Sequence, residues 1–308
     1  MNHQAARAPL VVAAVLTWND TAMTAACLRS VFESDYPNLK VVLVDNGSTE
    51  PCGQRLKQQF PQVELIELPE NRGFTGGGNA CLQRGLELGA DYVQLIGNDS
   101  VLAGDAISHL VRELEARPQV GGASPLILDP GGEMVQFYWA TINRNQCKHI
   151  HHEFGARLDS RSWPTRESEF IPFICMMWRA SVLREIGLLD DSLWVACDDY
   201  DFCLRIADAG YRLLMVTDAH AEHRSGGTTG RESPYITYYT VRNRLVCLFR
   251  YGRPGGILRE SPWVIRNFIH QARINGANWN RQRAMLLGML DFVTGVRGAG
   301  RPPIDRKG

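Results

Sequence analysis

Hydrophobic positions in the first hundred residues alternate between two periods. Short β-branched runs at 10–16 (LVVAAVL), 40–44 (KVVLV), 63–68 (VELIEL) and 92–96 (YVQLI) predict strands, and the segments 21–34, 50–60 and 76–89 between them have helical spacing. A βαβαβαβ order of this kind predicts an α/β domain with a mostly parallel sheet and helices on both faces. Ligands then sit outside the carboxyl ends of the strands. Further on, 198–209 reads as a helix, 211–216 (YRLLMV) as a strand, and 235–296 as two or three helices interrupted at Pro254-Gly255-Gly256, Pro262 and Gly276. Between 120 and 178 the pattern weakens. The polar stretch from Thr141 to Glu169 reads as an irregular loop beside the site that shapes substrate choice. Its His149, His151 and His152 read as surface residues, because no second ligand cluster accompanies them.

Composition narrows the function classes. The chain has 308 residues, with 44 % hydrophobic and 21 % charged, which excludes disordered, collagen-like and coiled-coil readings. Its 33 basic and 33 acidic side chains cancel, but unevenly: residues 241–308 carry 13 basic and 3 acidic, a net of +10, and residues 1–240 carry 20 and 30, a net of −10. Such a split predicts two parts with two tasks, a domain over 1–233 and a basic helical extension over 234–308. Arginines in that extension are interspersed with Trp263, Phe268, Ile269, Trp279, Met285, Leu286, Met289 and Phe292. Helices built this way either pack with a solvated basic face or lie on an anionic membrane surface. No recognition motif accompanies the charge, so no nucleic acid partner is expected.

Eight cysteines without a C-x-x-C pair read as reduced thiols of a cytoplasmic protein. Pro9 to Trp18 reads as a first strand, since it lacks the charge and cleavage site of a signal peptide. The best C-terminal apolar run, Ala284 to Val296, is broken by Asp291 and falls short of the ~18 residues that a spanning helix needs.

Chemistry gathers at the strand ends: Thr17-Trp18-Asn19, Asp45-Asn46-Gly47-Ser48, Asn71-Arg72-Gly73 and Asn98-Asp99-Ser100. The first strand lacks the G-x-G-x-x-G that a dinucleotide site requires, which disfavours NAD. Glycines appear instead at Gly73-Phe74-Thr75-Gly76-Gly77-Gly78-Asn79, where they let a backbone pass close to a ligand at a helix start. Asp99 is placed either as a helix cap or as an oxygen ligand for Mg²⁺ or Mn²⁺. In Asp198-Asp199-Tyr200-Asp201, Asp198 suits an N-cap and Asp201 an i, i+4 pair with Arg205, while Asp199 has no such structural task. Either His220 or His223 could be a ligand, and spacing does not choose.

Taken in order, Thr17-Trp18-Asn19, Val44 to Ser48, Asn71 to Phe74 with Gly77-Gly78-Asn79, Ile96 to Ser100, Asp198 to Arg205 and Ala209 to Arg212 resemble the motifs of family 2 glycosyltransferases, in the bacterial rhamnosyltransferase-like branch. Tyr239 with Arg242-Asn243-Arg244 resembles that branch's C-terminal signature, and Gly288, Asp291 and Gly295 its last helix. The resemblance implies the GT-A fold, a UDP- or dTDP-sugar donor and an inverting, metal-assisted transfer to a saccharide or lipid-linked saccharide hydroxyl on the inner face of the membrane. By position Thr17, Asn19, Asp45, Asn46, Arg72, Gly73 and Asn98 would hold the nucleotide donor. Asp99 and His223 would hold the metal, Asp199 would be the catalytic base, and Asp198, Asp201 and Trp194 would face the acceptor. One position departs from the pattern: Gly97 stands two residues before Asp99, where the family has Asp or Asn, so that either Asn98 substitutes or the metal is held more loosely. A sugar nucleotidyltransferase and a non-catalytic nucleotide-sugar or glycan-binding protein are the alternatives.

Overall fold

The computed structural model describes residues 7–224, 233–252 and 279–302. Four expected strands form as β1 (Val11–Thr17), β2 (Leu39–Asp45), β3 (Glu64–Glu67) and β4 (Tyr92–Gly97). Three helices alternate with them: α1 (Thr21–Phe32), α2 (Cys52–Gln59) and α3 (Gly73–Glu87). Every residue of β1 is buried, because helices cover both faces of this part of the sheet. The parallel register sets Thr17 opposite Asp45 and Leu16 opposite Gly97, so the polar ends of three strands finish at one edge.

The second half completes one mixed sheet. It adds β5 (Ser100–Leu102), α4 (Ala106–Ala116), β6 (Val120–Leu128), β7 (Val135–Phe137), the hairpin β8 (Trp139–Asn143) and β9 (Lys148–His152), and β10 (Arg166–Ser168). There follow β11 (Cys175–Arg179), α5 (Ala180–Ile186), α6 (Asp198–Asp208), β12 (Arg212–His223), α7 (Pro234–Tyr251) and α8 (Trp279–Val293). The main path runs β10-β12-β6-β11-β4-β1-β2-β3, with β11 antiparallel between β4 and β6. A parallel core with antiparallel additions is the GT-A arrangement.

Two expectations change. Residues 120–178 hold regular structure, including β6, buried along its whole length, and β11, whose CMMWR run is buried at four of five positions. The three histidines lie on β9 rather than in an irregular loop. His149 stacks on Phe170 at 3.8 Å and His152 on Trp139 at 3.8 Å. Desolvation of the ring stacked on Phe170, and then the neighbouring His151, push the His149 imidazole down to about 4 although the residue is at the surface, so it is neutral at neutral pH.

The C-terminal helices join the same core. Val241, Leu245, Cys247 and Leu248 of α7 and Met285 of α8 belong to the apolar cluster that covers the sheet. Gly288 lets α8 approach closely, since a Cβ there would lie 2.7 Å from the Tyr238 carbonyl. Asp291 is fully buried and accepts from the Tyr238 hydroxyl and the Arg301 guanidinium. Burial raises its carboxyl, but those hydrogen bonds outweigh it and hold the group below the usual carboxylate range. Arg242 and Arg244 are likewise buried, and Arg250 pairs with Asp190 and Asp201, so these are not members of a solvated basic face. Trp263, Phe268 and Ile269 and the interruptions at Pro254-Gly255-Gly256, Pro262 and Gly276 lie outside the described residues. No helix among the described residues is long and apolar enough to cross a membrane.

Candidate active site

At the sheet edge three loops are tied to one another by side chains. Asn19, at φ 56°, receives the Thr49 amide on Oδ1 at 2.8 Å and gives its own amide to the Ser48 hydroxyl at 2.9 Å. Asn46 is buried; its Oδ1 accepts the Arg72 amide at 3.0 Å and its Nδ2 donates to the Gly73 carbonyl at 2.9 Å. Asp45 Oδ1 accepts the Ser48 amide at 2.9 Å and Oδ2 the Gly53 amide at 2.8 Å. Thr17 is 1 % exposed, and its hydroxyl lies 2.6 Å from that of Thr24. Thr17, Asp45 and Asn46 therefore fix the loops, while the exposed Arg72 keeps a guanidinium without an ion pair among the described residues.

The glycine run serves protein packing at the start of α3. The amides of Arg72, Gly73 and Thr75 are taken by Asn46 Oδ1, Asn71 Oδ1 and the Trp194 carbonyl. Gly73 has φ +70°, and a Cβ there would lie 2.5 Å from the Trp194 carbonyl oxygen. At Gly77 a Cβ would meet Leu16 at 2.6 Å. Trp194 in turn donates Nε1 to the Tyr235 hydroxyl at 2.8 Å.

Strand register chooses between the two histidines. The strand expected at 211–216 continues to His223 through a bulge between Val216 and His220, and its end pairs with β5, placing His223 opposite Ser100. His223 Nε2 then lies 3.4 Å from Asp99 Oδ2. Its Nδ1 lies 3.0 Å from Gln136 Oε1, which can only accept, so Nδ1 carries a proton and Nε2 is the ring nitrogen turned to the carboxylate. An oxygen and a ring nitrogen thus face each other across 3.4 Å, and no group of three or more His, Cys, Asp or Glu side chains is placed to hold a metal among the described residues. Gln136 is the site residue that sequence reasoning missed; nothing in its neighbourhood of the chain signals it.

Asn98, beside the missing carboxylate at position 97, is buried and gives its Nδ2 to Thr24 Oγ1 at 3.1 Å. Gly97 instead leaves room: a Cβ there would lie 2.8 Å from Asp99 Oδ1.

The three aspartates at the start of α6 have different fates. Asp201 is 1 % exposed and takes Arg205 Nε at 2.9 Å, Arg250 Nη1 at 3.2 Å and the Tyr251 hydroxyl at 2.6 Å. It packs α6 in place, which removes it from the acceptor side. Asp198 is the first helical residue rather than the cap, which is Cys197 at φ 61° with no side-chain hydrogen bond. Burial, and then Asp199, raise the Asp198 carboxyl well above the usual range. Asp199 has no cation partner among the described residues. Burial raises it to about 6, with the Tyr200 amide, 2.8 Å from Oδ1, opposing.

The described residues therefore present loops tied to one another by side chains, an Asp99–His223 pair and, at the start of α6, a carboxyl raised to about 6. A family model of glycosyl transferase family 2 matches residues 13–187. The chain belongs to that family. It is an enzyme, a glycosyltransferase, which sets aside the nucleotidyltransferase and binding-protein alternatives. Among its relatives is a dTDP-rhamnosyl transferase RfbF of Shigella flexneri, 24 % identical over 303 residues, which cover 94 % of this chain and 98 % of that one. An N-acetylglucosaminyl-diphospho-decaprenol L-rhamnosyltransferase of Mycobacterium tuberculosis is 24 % identical over 250 residues, covering 74 % and 80 %. The transferase is thus rhamnosyltransferase-like. Solved structures share the GT-A fold. GalNAc-T7 with UDP, GalNAc and Mn²⁺ aligns at a TM-score of 0.63 and 14 % identity over 94 % of this chain, which spans 58 % of that one. Mannosyltransferase PcManGT from Pyrobaculum calidifontis, with GDP-Man and Mn²⁺, aligns at 0.57 and 17 % identity, over 92 % of this chain and 87 % of that one.

Proposed function

We propose that this glycosyltransferase moves a sugar from a nucleotide-diphosphate donor, dTDP-rhamnose first among candidates, to a saccharide or lipid-linked saccharide hydroxyl with inversion. The observation that carries the reading is Asp199: a half-buried carboxylate, desolvated enough to be raised to about 6, with no cation partner among the described residues, at the mouth of α6. A general base works best with a proton affinity near the working pH. The names of the two rhamnosyltransferase relatives support the donor class, and the second supports a lipid-linked acceptor.

In this reading Asp199 accepts the proton of the acceptor hydroxyl while that oxygen forms the new bond to the anomeric carbon. The bond from that carbon to the diphosphate oxygen breaks, and the electron pair leaves with the nucleoside diphosphate. One displacement from the opposite face needs one base and inverts the carbon. Asn19, Asp45, Asn46 and Thr17 hold the loops against the nucleotide, with Gly73 and Asn98 bracing them, and Arg72 meets the diphosphate with its guanidinium. Asp99 and His223 would hold Mg²⁺ or Mn²⁺, which when bound supplies positive charge against that building on the leaving diphosphate. Asp198 and Trp194 lie on the acceptor side of the base.

The segment after 233 packs on the catalytic core and, in this reading, also meets an anionic membrane. Charge complementarity supports that occupant: the net of +10 over 241–308, part of it on the buried Arg242 and Arg244 and the paired Arg250 and Arg301, accompanies exposed Phe249, Trp279, Leu286, Leu290 and Val293 on α7 and α8. Vesicles of mixed anionic lipid should carry the enzyme in flotation at low salt and release it at ~0.5 M salt, where the Debye length is only a few ångströms. Equal partition onto neutral vesicles, or none onto either, rejects the surface. For the chemistry, incubation with dTDP-rhamnose and Mn²⁺ should release dTDP, faster with a lipid-linked N-acetylglucosamine acceptor. Binding of dTDP without release in any of UDP-, GDP- and dTDP-sugars contradicts the reading.

A further inference from the structure

Two side chains of α7 reach the segment that carries the base, and no step of the proposed reaction uses them. Arg242 and Asn243 are both fully buried. Asn243 aims Nδ2 at three carbonyls, those of Leu193 at 2.7 Å, Val195 at 2.8 Å and Ala196 at 2.9 Å. Its Oδ1 accepts from Arg242 Nε at 2.9 Å. Arg242 gives Nη2 to the carbonyls of Ser192 and Leu193, at 3.2 and 3.0 Å, and Nη1 to that of Gly298 at 2.7 Å. The Tyr238 and Tyr239 rings flank the guanidinium, 5.4 and 5.0 Å away.

The loop they hold is strained. Trp194, Ala196 and Cys197 have φ of 69°, 66° and 61°, values that residues with a Cβ adopt only where the surroundings compel them. A run of such residues turns its carbonyls into the protein, where they need donors. Asn243 and Arg242 supply those donors. On its other side the loop meets the donor edge, because the Trp194 carbonyl accepts the Thr75 amide at 3.1 Å. Its last residues run directly into Asp198 and Asp199.

We infer that Arg242 and Asn243 are positioning residues, which hold loop 192–197 in its left-handed course and thereby set Asp199 against the donor edge. The C-terminal helices are then part of the catalytic device. This rests on the reading of Asp199 as the base, and it gives the Tyr239, Arg242-Asn243-Arg244 signature a physical task.

The test compares Asn243→Ala with the wild-type enzyme in dTDP release from dTDP-rhamnose with acceptor, dTDP affinity by calorimetry, and the pH dependence of kcat. Asn243→Ala should lose at least ~30-fold in kcat, with donor KM and dTDP affinity within ~3-fold. Its acid limb should move down by about half a unit, because a relaxed loop admits water to the carboxylate. Arg242→Lys keeps the charge but not the fork; it should show the same split at smaller amplitude, and it stands in if Asn243→Ala does not fold. Wild-type kcat and acid limb in a folded variant, or equal losses of kcat and dTDP affinity, overturn the inference. If Asp199→Asn retains its turnover, the base reading fails. If Asp199→Asn is inactive while Asn243→Ala is unchanged, only the positioning fails.

Discussion

The donor edge and the entrance to α6 each bury aspartates, and the donors around them decide what those aspartates can do. Asp45 at the end of β2 has a backbone amide for each oxygen and serves as a staple between β2 and α2. Asp201 has two arginines and a tyrosine. Asp199, two residues earlier, is half-buried, with backbone amides beside it and no cation partner among the described residues. Residue type is the same in all three. A carboxylate with its lone pairs matched is architecture, and one left short of donors is reactive.

The hardest blow to this comparison comes from removing the unmatched carboxylate. Asp199→Asn should lower turnover by at least ~10² while dTDP affinity stays within a few-fold. A variant that keeps most of its turnover would shift the base to Asp198. Next in size is the support of His223: Gln136→Ala removes the Oε1 acceptor at Nδ1, and the Mn²⁺ needed for half-maximal turnover should rise ~10-fold or more. An unchanged metal titration would mean that His223 is no ligand.

A matched carboxylate should behave oppositely, as a matter of stability. Asp291→Ala leaves the buried Tyr238 hydroxyl without its acceptor and should cost about 2 kcal/mol, discounted because Arg301 is half exposed, or about 4 °C in melting temperature. An unaltered melting temperature would show that the α7–α8 contact holds without it.

The smallest effect sharpens the contrast. A carboxyl raised in the fold binds its proton there to a higher pH than in the unfolded chain, so its burial costs stability above about 6 and nothing below about 4. Asp199→Asn should therefore melt about 2 °C higher than wild type at pH 8 and at the same temperature at pH 4. A lower melting temperature at pH 8 would mean that the carboxylate is matched after all.

Much of this was legible in the sequence where the pattern is local. The runs at 10–16, 40–44 and 92–96 are rich in β-branched and other apolar residues, with only Lys40 and Gln94 polar, so strand and burial largely coincide, and the polar residues that follow them mark the candidate edge. The family motifs supplied the order of the candidate site. What escaped was set by partners distant in sequence. Nothing local shows that β12 continues past a bulge to reach β5, and that continuation alone brings His223 to Asp99. Nor does spacing reveal that Asp201 is claimed by Arg250, 49 residues away, or Asn98 by Thr24 across the sheet. The hairpin β8–β9 was read as loop because its histidines are polar by composition, although their rings stack on Phe170 and Trp139. The glycine-rich start of α3 packs where it does because a Cβ at Gly73, Gly77 or Gly78 would meet Trp194, Leu16 or Leu189.

The central claim, that an under-matched Asp199 takes the acceptor's proton, is tested most directly by the pH dependence of single-turnover transfer from dTDP-rhamnose to acceptor at saturating metal. The base must be deprotonated to act, so the rate should fall tenfold per pH unit on the acid side, with a midpoint at about 6. A midpoint at about 4, the value of an ordinary carboxylate, or a rate flat from pH 5 to 8, would contradict the account.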